Sequence, residues 1–351
     1  MRKIVTAYCF LLFSLLANAQ EGIKIGAYYF DGWSGTKPGQ EEWALAANAP
    51  TGLTYKLMTE YGNREPVWGW RNDDVRIMER QINLAASNGI DFFVFCWYWI
   101  RDVKGNVSEA QVKALPNHTC MKLFMQAKNK HKMKFAVLVV DHSGEIVKEQ
   151  DSWNALVTFL SKEYFSDSQY LRFGTKPYLC FFQGNGNTYL DGMRTTASEC
   201  GYDGLVLGAC NFHTVDSHFD VTTFYNETIE TGTRGEAKPY TELIERTMYY
   251  WPYQPVNSIP SCIVGWDKRP WFENEDFVYY DRKTPELFYH FLKEAVDFTY
   301  ERKPQYPAIM IYAWNELGEG GYLVPTKGDR RAKYLKQVKK VKRYEKKKYL
   351  R

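Results

Sequence analysis

The chain has 351 residues and a formal net charge of +4 at pH 7, and this length fits either two ordinary domains or one barrel of typical size. Aromatic residues make up 17% of the sequence, which suits sugar binding through flat ring faces as well as the filling of a large core. The basic residues are concentrated after position 329 and the rest of the chain is acidic overall, so a nucleic-acid partner is not expected.

The first 19 residues have the pattern of a secretory signal peptide. Arg2 and Lys3 precede the apolar run 4–16, and the segment 17–19 has the small-x-small pattern of a cleavage site. The run is shorter than the roughly 20 apolar residues that cross a bilayer as a helix, and no later stretch reaches that length, so we expect no transmembrane segment. The sequence therefore predicts export, with cleavage near Ala19 and a mature chain, 20–351, that is periplasmic or extracellular.

Strand-like runs alternate with helical patterns along the rest of the chain. The predicted strands are Ile23–Phe30, Asp91–Trp99, Lys134–Val140, Pro177–Gln183, Leu205–Cys210, Val221–Tyr225, Cys262–Trp266 and Ala308–Trp314. Their near-continuous apolar character indicates a parallel sheet that is covered on both faces. Eight such units predict one domain of the α/β class, a closed (β/α)₈ TIM barrel. The long loop after the first strand, Asp31–Asp74, is expected to form one wall of the site.

Helical spacing predicts helices between most of these strands and after the last one. They are Val75–Ser87, Cys120–Lys130, Trp153–Phe165, Tyr240–Tyr250, Pro285–Tyr300 and Arg330–Lys346. Thr284 and Pro285 form a typical helix start, a capping residue followed by proline in the first turn. The connection Asn211–Asp220 is short for a helix, so we expect the fifth barrel unit to be irregular.

The C-terminal segment is strongly basic. Between Arg330 and Arg351 there are 12 basic residues and a single acid, Glu345. The pattern predicts a solvated terminal helix, and a surface contact with anionic lipid or polysaccharide is the alternative.

Six cysteines follow the signal peptide. They are Cys96, Cys120, Cys180, Cys200, Cys210 and Cys262. No Cys-x-x-Cys and no Cys/His cluster with zinc spacing occurs, so we expect neither a metal nor an organic cofactor. One disulfide is compatible with an exported chain, but the sequence does not identify a pair.

Reactive groups of such barrels lie at the carboxyl ends of the strands and in the loops that follow. Acids, amides and indoles occur there, as recognition of a hydroxyl-rich ring requires. The candidate substrate-binding residues are Tyr28, Tyr29, Trp97, Tyr98, Trp99, Asp141, His142, Tyr225, Trp266, Asp267, Trp314, Asn315 and Tyr322. Barrel filling fits the segment 97–99 equally well, and a loop hydrogen bond is an alternative role for His142.

The strongest signal is a pair of acids at the end of the eighth strand. The apolar run 309–313 leads to Glu316 and Glu319, and the glycines around them allow a sharp turn with both carboxylates facing one cavity. Glycosidic cleavage usually needs two carboxyl groups, and repulsion between close like charges keeps one of them protonated. A surface turn with two solvated acids is the alternative. We predict that Glu316 and Glu319 are catalytic residues.

Four segments resemble a known family. They are G-A-Y-Y-F at 26–30, D-F-F-V-F-C-W-Y-W at 91–99, G-W-D at 265–267 and W-N-E-L-G-E-G-G-Y-L-V-P at 314–325, which is the most specific. Together they resemble the glycoside hydrolase family 99-like proteins, which include the WbsX-type proteins linked to polysaccharide synthesis and are related to the family 99 endo-α-mannosidases. The resemblance implies a (β/α)₈ barrel and, in hydrolytic members, retaining cleavage of α-mannosidic bonds.

The resemblance also implies roles for the acid pair. Glu316 assists the substrate's own 2-hydroxyl as a base, through a 1,2-anhydro sugar, and Glu319 acts first as acid and then as base. Leu317 stands where the family often has an aromatic residue, Val324 stands where it has an acid, and 141–144 replaces the acidic motif of the true endo-mannosidases. The resemblance therefore implies the catalytic pair without the mannosidase specificity.

These observations leave three hypotheses for the function. The leading hypothesis is an exported retaining glycoside hydrolase that acts on a polysaccharide or glycan. A WbsX-type glycosyltransferase is disfavoured by the signal peptide, because nucleotide-sugar donors are cytoplasmic, and by the lack of a P-loop or Rossmann glycine motif. A catalytically silent carbohydrate-binding protein is the third hypothesis, against which the Glu pair argues. The expected partner is a carbohydrate in each case, and the sequence does not indicate the oligomeric state.

Overall fold

The computed structural model describes residues 22–36, 41–99, 108–141, 149–184, 187–210, 218–226, 235–272 and 277–350. Within these residues, eight parallel strands follow one another around a barrel. They are β1 (Lys24–Tyr29), β2 (Phe92–Trp97), β3 (Lys134–Val139), β4 (Lys176–Phe181), β5 (Val206–Ala209), β6 (Val221–Thr222), β7 (Ser261–Ile263) and β8 (Ala308–Tyr312). Each lies at one of the eight predicted strand positions.

The strands pair in chain order and β8 returns to β1. Parallel ladders join β1 through β6, and β8 lies between β7 and β1. Between β6 and β7 the backbone N–H of Ile259 donates to the carbonyl oxygen of Thr222 at 2.8 Å. This hydrogen bond completes the circle, and the predicted (β/α)₈ barrel is confirmed.

The described helices pack outside the barrel or in its loops. They are α1 (Glu42–Ala46), α2 (Tyr55–Thr59), α3 (Val75–Ser87), α4 (Glu109–Ala114), α5 (Thr119–Gln126), α6 (Gln150–Leu160), α7 (Leu190–Glu199), α8 (Tyr240–Tyr250), α9 (Pro285–Arg302) and α10 (Lys333–Lys348). A π-helical turn, Ser161–Phe165, extends α6, and a second small parallel pair joins Ala237–Pro239 to Tyr279–Asp281. Short strands also occur at Arg172–Phe173, Asn315–Glu316 and Gly321–Tyr322. All six predicted helices are present, those of α3 and α8 with the predicted bounds.

The residues of β2 and α9 show why these elements form where they do. All six residues of β2 are buried, as expected for a strand covered on both faces. The hydroxyl of Thr284 accepts a hydrogen bond from the N–H of Leu287, with Pro285 in the first turn, so α9 begins as the sequence predicts. Each fully buried large apolar side chain contributes roughly 1.5–3 kcal/mol, and the barrel interior and the layer beneath the helices form one continuous core.

The basic helix α10 runs along the outside of the barrel. In its first turn the hydroxyl of Tyr334 donates to the carbonyl oxygen of Lys283 at 3.0 Å. Near its end the carboxylate of Glu345 is buried and accepts the N–H of Ile23 at 2.6 Å, beside the start of β1. The helix therefore extends from the carboxyl-end face of the barrel to the opposite face.

The long loop after β1 contacts the loops after β7 and β8. The hydroxyl of Thr54 donates to the carbonyl oxygen of Pro270 at 2.7 Å, and the N–H of Val67 donates to that of Pro325 at 3.0 Å. These contacts place the loop beside the carboxyl ends of β7 and β8, but none of its described residues lines the cavity that lies there.

The remaining predictions concern the cysteines, membrane spans and the signal peptide. All six cysteines named above are free thiols, and the nearest two sulfur atoms, of Cys180 and Cys210, lie 3.6 Å apart. In the described part of the chain, no helix has the length and apolar character to cross a membrane. The predicted signal peptide and most of the connection 211–220 lie outside the described residues.

Candidate active site

A cavity of about 620 Å³ lies at the carboxyl ends of the strands. Most of its walls are aromatic, with two acids, one amide and one lysine. The described residues that line it are Phe30, Cys96, Tyr98, Val140, Phe182, Tyr225, Asn226, Trp266, Lys268, Trp271, Phe272, Glu316 and Glu319. The two predicted catalytic acids therefore share one cavity.

A β-hairpin carries both acids. Directly after β8, Asn315–Glu316 pairs antiparallel with Gly321–Tyr322, so that Glu319 lies in the four-residue turn between them. Gly320 has a φ of +77°, which a glycine adopts without strain. A Cβ atom at Gly318 would lie 2.2 Å from the indole of Trp271, so only hydrogen fits there. The glycines of the turn are thus required by its geometry.

A network of charged side chains fixes the turn. The guanidinium of Arg64 donates to the carbonyl oxygen of Leu317 at 3.1 Å and also pairs with the carboxylate of Asp267. Arg269 binds the same carboxylate through Nε at 2.7 Å. The backbone N–H of Asp267 in turn donates to the carbonyl oxygen of Glu319 at 2.6 Å. The carboxylate of Asp267, predicted to bind substrate, is therefore engaged by two guanidinium groups and outside the cavity lining.

Lys283 supports the turn from outside the cavity. Its ammonium donates to the carbonyl oxygen of Gly320 at 3.0 Å and lies 4.9 Å from the ring centroid of Tyr322. Burial, and then the nearby charge of Arg64, lower the pKa of Lys283 to about 8. Tyr322, another predicted substrate contact, thus belongs to this support.

Each of the two acids accepts a hydrogen bond from a tyrosine hydroxyl. Tyr225 donates to Glu316 at 2.5 Å, and Tyr312, the last residue of β8, donates to Glu319. Burial raises the pKa of both tyrosines, so their hydroxyls stay protonated and remain donors. The two carboxyl groups are therefore held in fixed orientations.

The two acids differ in their exposure to solvent. Glu316 is 4% exposed, whereas Glu319 is half-buried. Removal from water raises the pKa of Glu316 well above its usual value, the charge of Glu319 raises it further, and the hydrogen bond from Tyr225 acts in the opposite direction. Repulsion between two close carboxylates favours a state in which the pair holds a single proton. The pair can offer the cavity one proton donor and one acceptor.

Three predicted substrate-binding residues line the cavity, and nine others lie outside its lining. The three are Tyr98, Tyr225 and Trp266. The nine are Tyr28, Tyr29, Trp97, Trp99, Asp141, Asp267, Trp314, Asn315 and Tyr322. His142 lies outside the described residues.

The predicted residues outside the lining use their polar atoms and ring faces within the fold. The hydroxyl of Tyr29 and the indole N–H of Trp314 both donate to the side chain of Gln81. Trp97 and Trp99 are buried, stack at 5.8 Å and both contact Phe159 of α6, so the structure places them in the layer between the barrel and its helices. Three more make other internal contacts: Tyr28 with the sulfur of Cys210, Asp141 with the N–H of Gln183, and Asn315 with the backbone of Phe30.

Sequence reasoning missed eight lining residues. They are Phe30, Cys96, Val140, Phe182, Asn226, Lys268, Trp271 and Phe272. A simple signal identifies three of them, because Phe30, Val140 and Phe182 directly follow the last residues of β1, β3 and β4. Trp271 and Phe272 lie beyond a 3₁₀ turn, Arg269–Trp271, and only the folded loop brings them to the cavity.

The comparison with protein families decides where this chain belongs. A family model described as Glycosyltransferase WbsX matches residues 69–338, well over half of the chain. The chain belongs to the WbsX family. The predicted resemblance is confirmed by this match, and the matched region includes β2 through β8 and both acids. A comparison with curated proteins finds no match.

Solved structures support the fold of this WbsX-family chain. It is similar to the GH99 endo-alpha-mannosidase from Bacteroides thetaiotaomicron, with a TM-score of 0.59, 15% identity, and coverage of 92% of this chain and 97% of that one. It is also similar to a glycoside hydrolase-like protein, with a TM-score of 0.61, 14% identity, and coverage of 92% and 94%. At these identities the likeness shows the barrel fold alone.

Proposed function

We propose that this protein is an exported, retaining glycoside hydrolase of polysaccharides or glycans, with Glu316 and Glu319 as its catalytic residues. The observation that carries the proposal is one cavity that holds both carboxyl groups among aromatic rings. Cleavage of a glycosidic bond requires one group that donates a proton and one that accepts or attacks. Aromatic rings offer sugar rings apolar faces to pack against. The barrel shared with glycoside hydrolases supports the same class.

The two acids have different roles in this proposal. Glu316 takes the proton of the substrate's 2-hydroxyl while that oxygen attacks the anomeric carbon, and Glu319 gives its proton to the departing glycosidic oxygen. Water then opens the 1,2-anhydro sugar, with Glu319 accepting a proton from the water and Glu316 returning one to the 2-oxygen. Since burial favours the proton on Glu316 in the free protein, glycan binding must move it to Glu319 before cleavage.

The test is the release of reducing ends from α-mannans, bacterial exopolysaccharides and host N-glycans. We expect product from the wild type, and a fall of at least about 100-fold in kcat for both Glu316→Gln and Glu319→Gln with unchanged melting temperatures. The exposed Glu60→Gln is the matched control and should keep full activity. Full activity in either cavity variant would remove that residue from the mechanism. Fractionation of the activity between cytoplasm and exterior tests export.

A substrate with a good leaving group separates the two roles. An acidic phenol departs without protonation, so Glu319→Gln should regain activity on its aryl glycoside, whereas Glu316→Gln should not. If Glu316→Gln regained activity on the aryl glycoside and Glu319→Gln did not, Glu316 would be the acid and Glu319 the base. If Glu316 were itself the nucleophile, a covalent glycosyl-enzyme would accumulate, whereas the anhydro-sugar route leaves none.

A WbsX-type glycosyltransferase is the second candidate, and the description of the family model favours it. A transferase needs a nucleotide-sugar donor, and the sequence has no glycine-rich motif for a diphosphate. Transfer from a nucleotide sugar to a glycan, without hydrolysis, would establish the transferase. A folded wild type that binds a glycan and turns over neither kind of substrate would establish the silent binding protein.

A further inference from the structure

An aromatic ring marks the mouth of the candidate catalytic cavity. Phe272 lines the cavity and is nevertheless 45% exposed to solvent. Its ring packs against that of Phe277, with the two ring centroids 4.4 Å apart. Trp271, the residue before it, lines the cavity as well. The aromatic wall of the cavity therefore continues outward to the molecular surface at this point.

The long loop after β1 is fastened to this part of the mouth. The hydroxyl of Thr54 donates to the carbonyl oxygen of Pro270 at 2.7 Å, and the ammonium group of Lys56 donates to that of Phe272 at 3.4 Å. Tyr55 stands between these two residues and is the first residue of α2. Its backbone is therefore fixed beside the loop that carries Phe272.

A second ring accompanies Tyr55. Trp43 of α1 packs edge-to-face against it, with the ring centroids 5.5 Å apart, and the indole N–H of Trp43 donates to the carboxylate of Glu41 at 2.5 Å. Tyr55 is still 56% exposed after this packing, whereas Trp43 is half-buried. The two rings, Trp43 and Tyr55, form a surface cluster that we call the outer aromatic pair.

The exposure of these rings distinguishes them from residues that only fasten the loop. Leu57, two residues after Tyr55 in α2, is buried and supplies that anchoring. Single exposed apolar residues are common on protein surfaces, but exposed rings that continue from a cavity are typical of a binding surface. A sugar ring has apolar faces and polar edges, which match the face and the hydroxyl of a tyrosine.

We propose that the glycan chain leaves the cavity past Phe272 and that the outer aromatic pair binds a further sugar ring of the same chain. This inference rests on the proposed function and adds a binding site outside the catalytic cavity. The occupant is a sugar of the substrate itself, because α2 is joined directly to the loop that forms the mouth. A polymer reaches this site, whereas a short oligosaccharide that fills only the cavity does not.

The experiment measures binding with the Glu319→Gln protein, so that binding is separated from turnover. The probes are α-mannan, dextran, xanthan and hyaluronan, each beside short oligosaccharides prepared from the same polymer. We expect at least one polymer to bind more tightly than its own oligosaccharides. The additional change Tyr55→Ala should lower the affinity for that polymer roughly ten-fold, because the ring that the sugar covers is lost, and should not lower the affinity for its oligosaccharides. Tyr55→Phe keeps the ring and should keep the polymer affinity.

A second pair of exposed tyrosines provides the matched control. Tyr249 and Tyr253 have ring centroids 5.4 Å apart, and both are more exposed than Tyr55. They lie at the end of α8 and in the 3₁₀ turn that precedes β7, at the face of the barrel opposite the cavity. Tyr253→Ala should therefore leave the affinity for every polymer unchanged. Melting temperatures equal to that of the Glu319→Gln protein show that each variant is folded.

The outcomes separate this inference from the proposed function. Polymer affinity that is unchanged by Tyr55→Ala, or lowered equally by Tyr253→Ala, would overturn the outer site, as would an equal loss for polymer and oligosaccharides. If no polymer binds more tightly than its oligosaccharides, the inference is also wrong, and cleavage of any glycan by the wild type would leave the hydrolase in place. Polymer binding that depends on Tyr55, with no cleavage of any glycan, would uphold the inference and reject the hydrolase.

Discussion

The hydroxyl of Tyr225 influences where the acid pair holds its proton. It donates to Glu316 and so favours the ionised carboxylate, in opposition to burial and to the charge of Glu319. The productive form in our proposal has Glu316 ionised and Glu319 protonated. The tyrosine therefore favours the arrangement that precedes cleavage.

Removal of this hydroxyl gives a prediction with a definite sign. In Tyr225→Phe the pKa of Glu316 rises, because the contact that lowered it is gone. We expect the basic limb of the pH profile of kcat/KM, where the pair loses its single proton, to move to higher pH by about one to two units. The maximal rate should fall, since the proton then resides even more on Glu316.

Tyr312→Phe is the comparison for this measurement. The hydroxyl of Tyr312 donates to Glu319 in the same way. Its removal should therefore change the hydrogen bonding of Glu319, not of Glu316, and leave the basic limb of the profile nearly in place. A basic limb that is identical in wild type and Tyr225→Phe would show that Glu316 does not carry the proton lost in this limb.

At the scale of elements, the hairpin after β8 depends on a residue without a side chain at position 318. A Cβ at Gly318 would meet the rigid indole of Trp271 at 2.2 Å, so in Gly318→Ala either the turn or the tryptophan must shift. Because Glu319 lies next in the turn, we expect kcat to fall roughly 100-fold, as displacements near 1 Å produce. Circular dichroism should show an intact barrel.

A glycine with free space around it provides the matched control. Nothing lies within 4 Å of a Cβ placed at Gly62, and its backbone is not left-handed, so Gly62→Ala should leave kcat unchanged. Full activity in Gly318→Ala would mean that the turn tolerates displacement and that its contacts with Arg64, Asp267 and Lys283 are dispensable for activity.

The fold could be predicted well from the sequence because its signals are local. Each barrel strand is a short apolar run, and α9 begins at a recognisable cap. The sequence does not predict α7, because Gly192, two threonines and one serine give it weak helical propensity. A Cβ at Gly192 would meet the terminal amide of the Gln150 side chain, which would have to move aside.

The candidate site could be predicted only in part. The acid pair was found because both members lie in one glycine-rich segment after a strand. Which rings face the cavity depends on three-dimensional packing: Trp97 and Trp99 stack on each other and against α6, whereas Trp271 reaches the cavity through a loop. The spacing of apolar residues carries no information on such loops, because it indicates which face of a helix or strand is buried and not the direction in which a loop turns.

For the molecule as a whole, one face of α10 is strongly basic, whereas the residues before this helix are acidic overall. Lys336, Lys340, Arg343 and Lys347 are exposed and spaced by four, three and four residues, so they form one face of α10. The 16 residues of the helix extend about 24 Å. Its apolar residues, such as Leu335, are buried, which leaves the charged face to solvent.

This face gives the last prediction, which concerns chain length. Combining Lys336→Gln, Lys340→Gln and Arg343→Gln should weaken binding of a long acidic polysaccharide about ten-fold at low salt, because several weak ionic contacts act together. The effect should vanish at high salt. Affinity for a short oligosaccharide that fills only the cavity should not change, since the helix lies outside the cavity lining.

The matched control is the triple variant Lys128→Gln, Lys132→Gln and Lys303→Gln. It removes the same charge from exposed positions elsewhere, so it changes the net charge without changing the basic face. If both triple variants weaken the long polysaccharide equally, binding follows net charge and α10 has no specific part in it. If the α10 variant also weakens the short oligosaccharide, the helix acts on the cavity itself. Loss confined to the long chain would place the polymer along the helix.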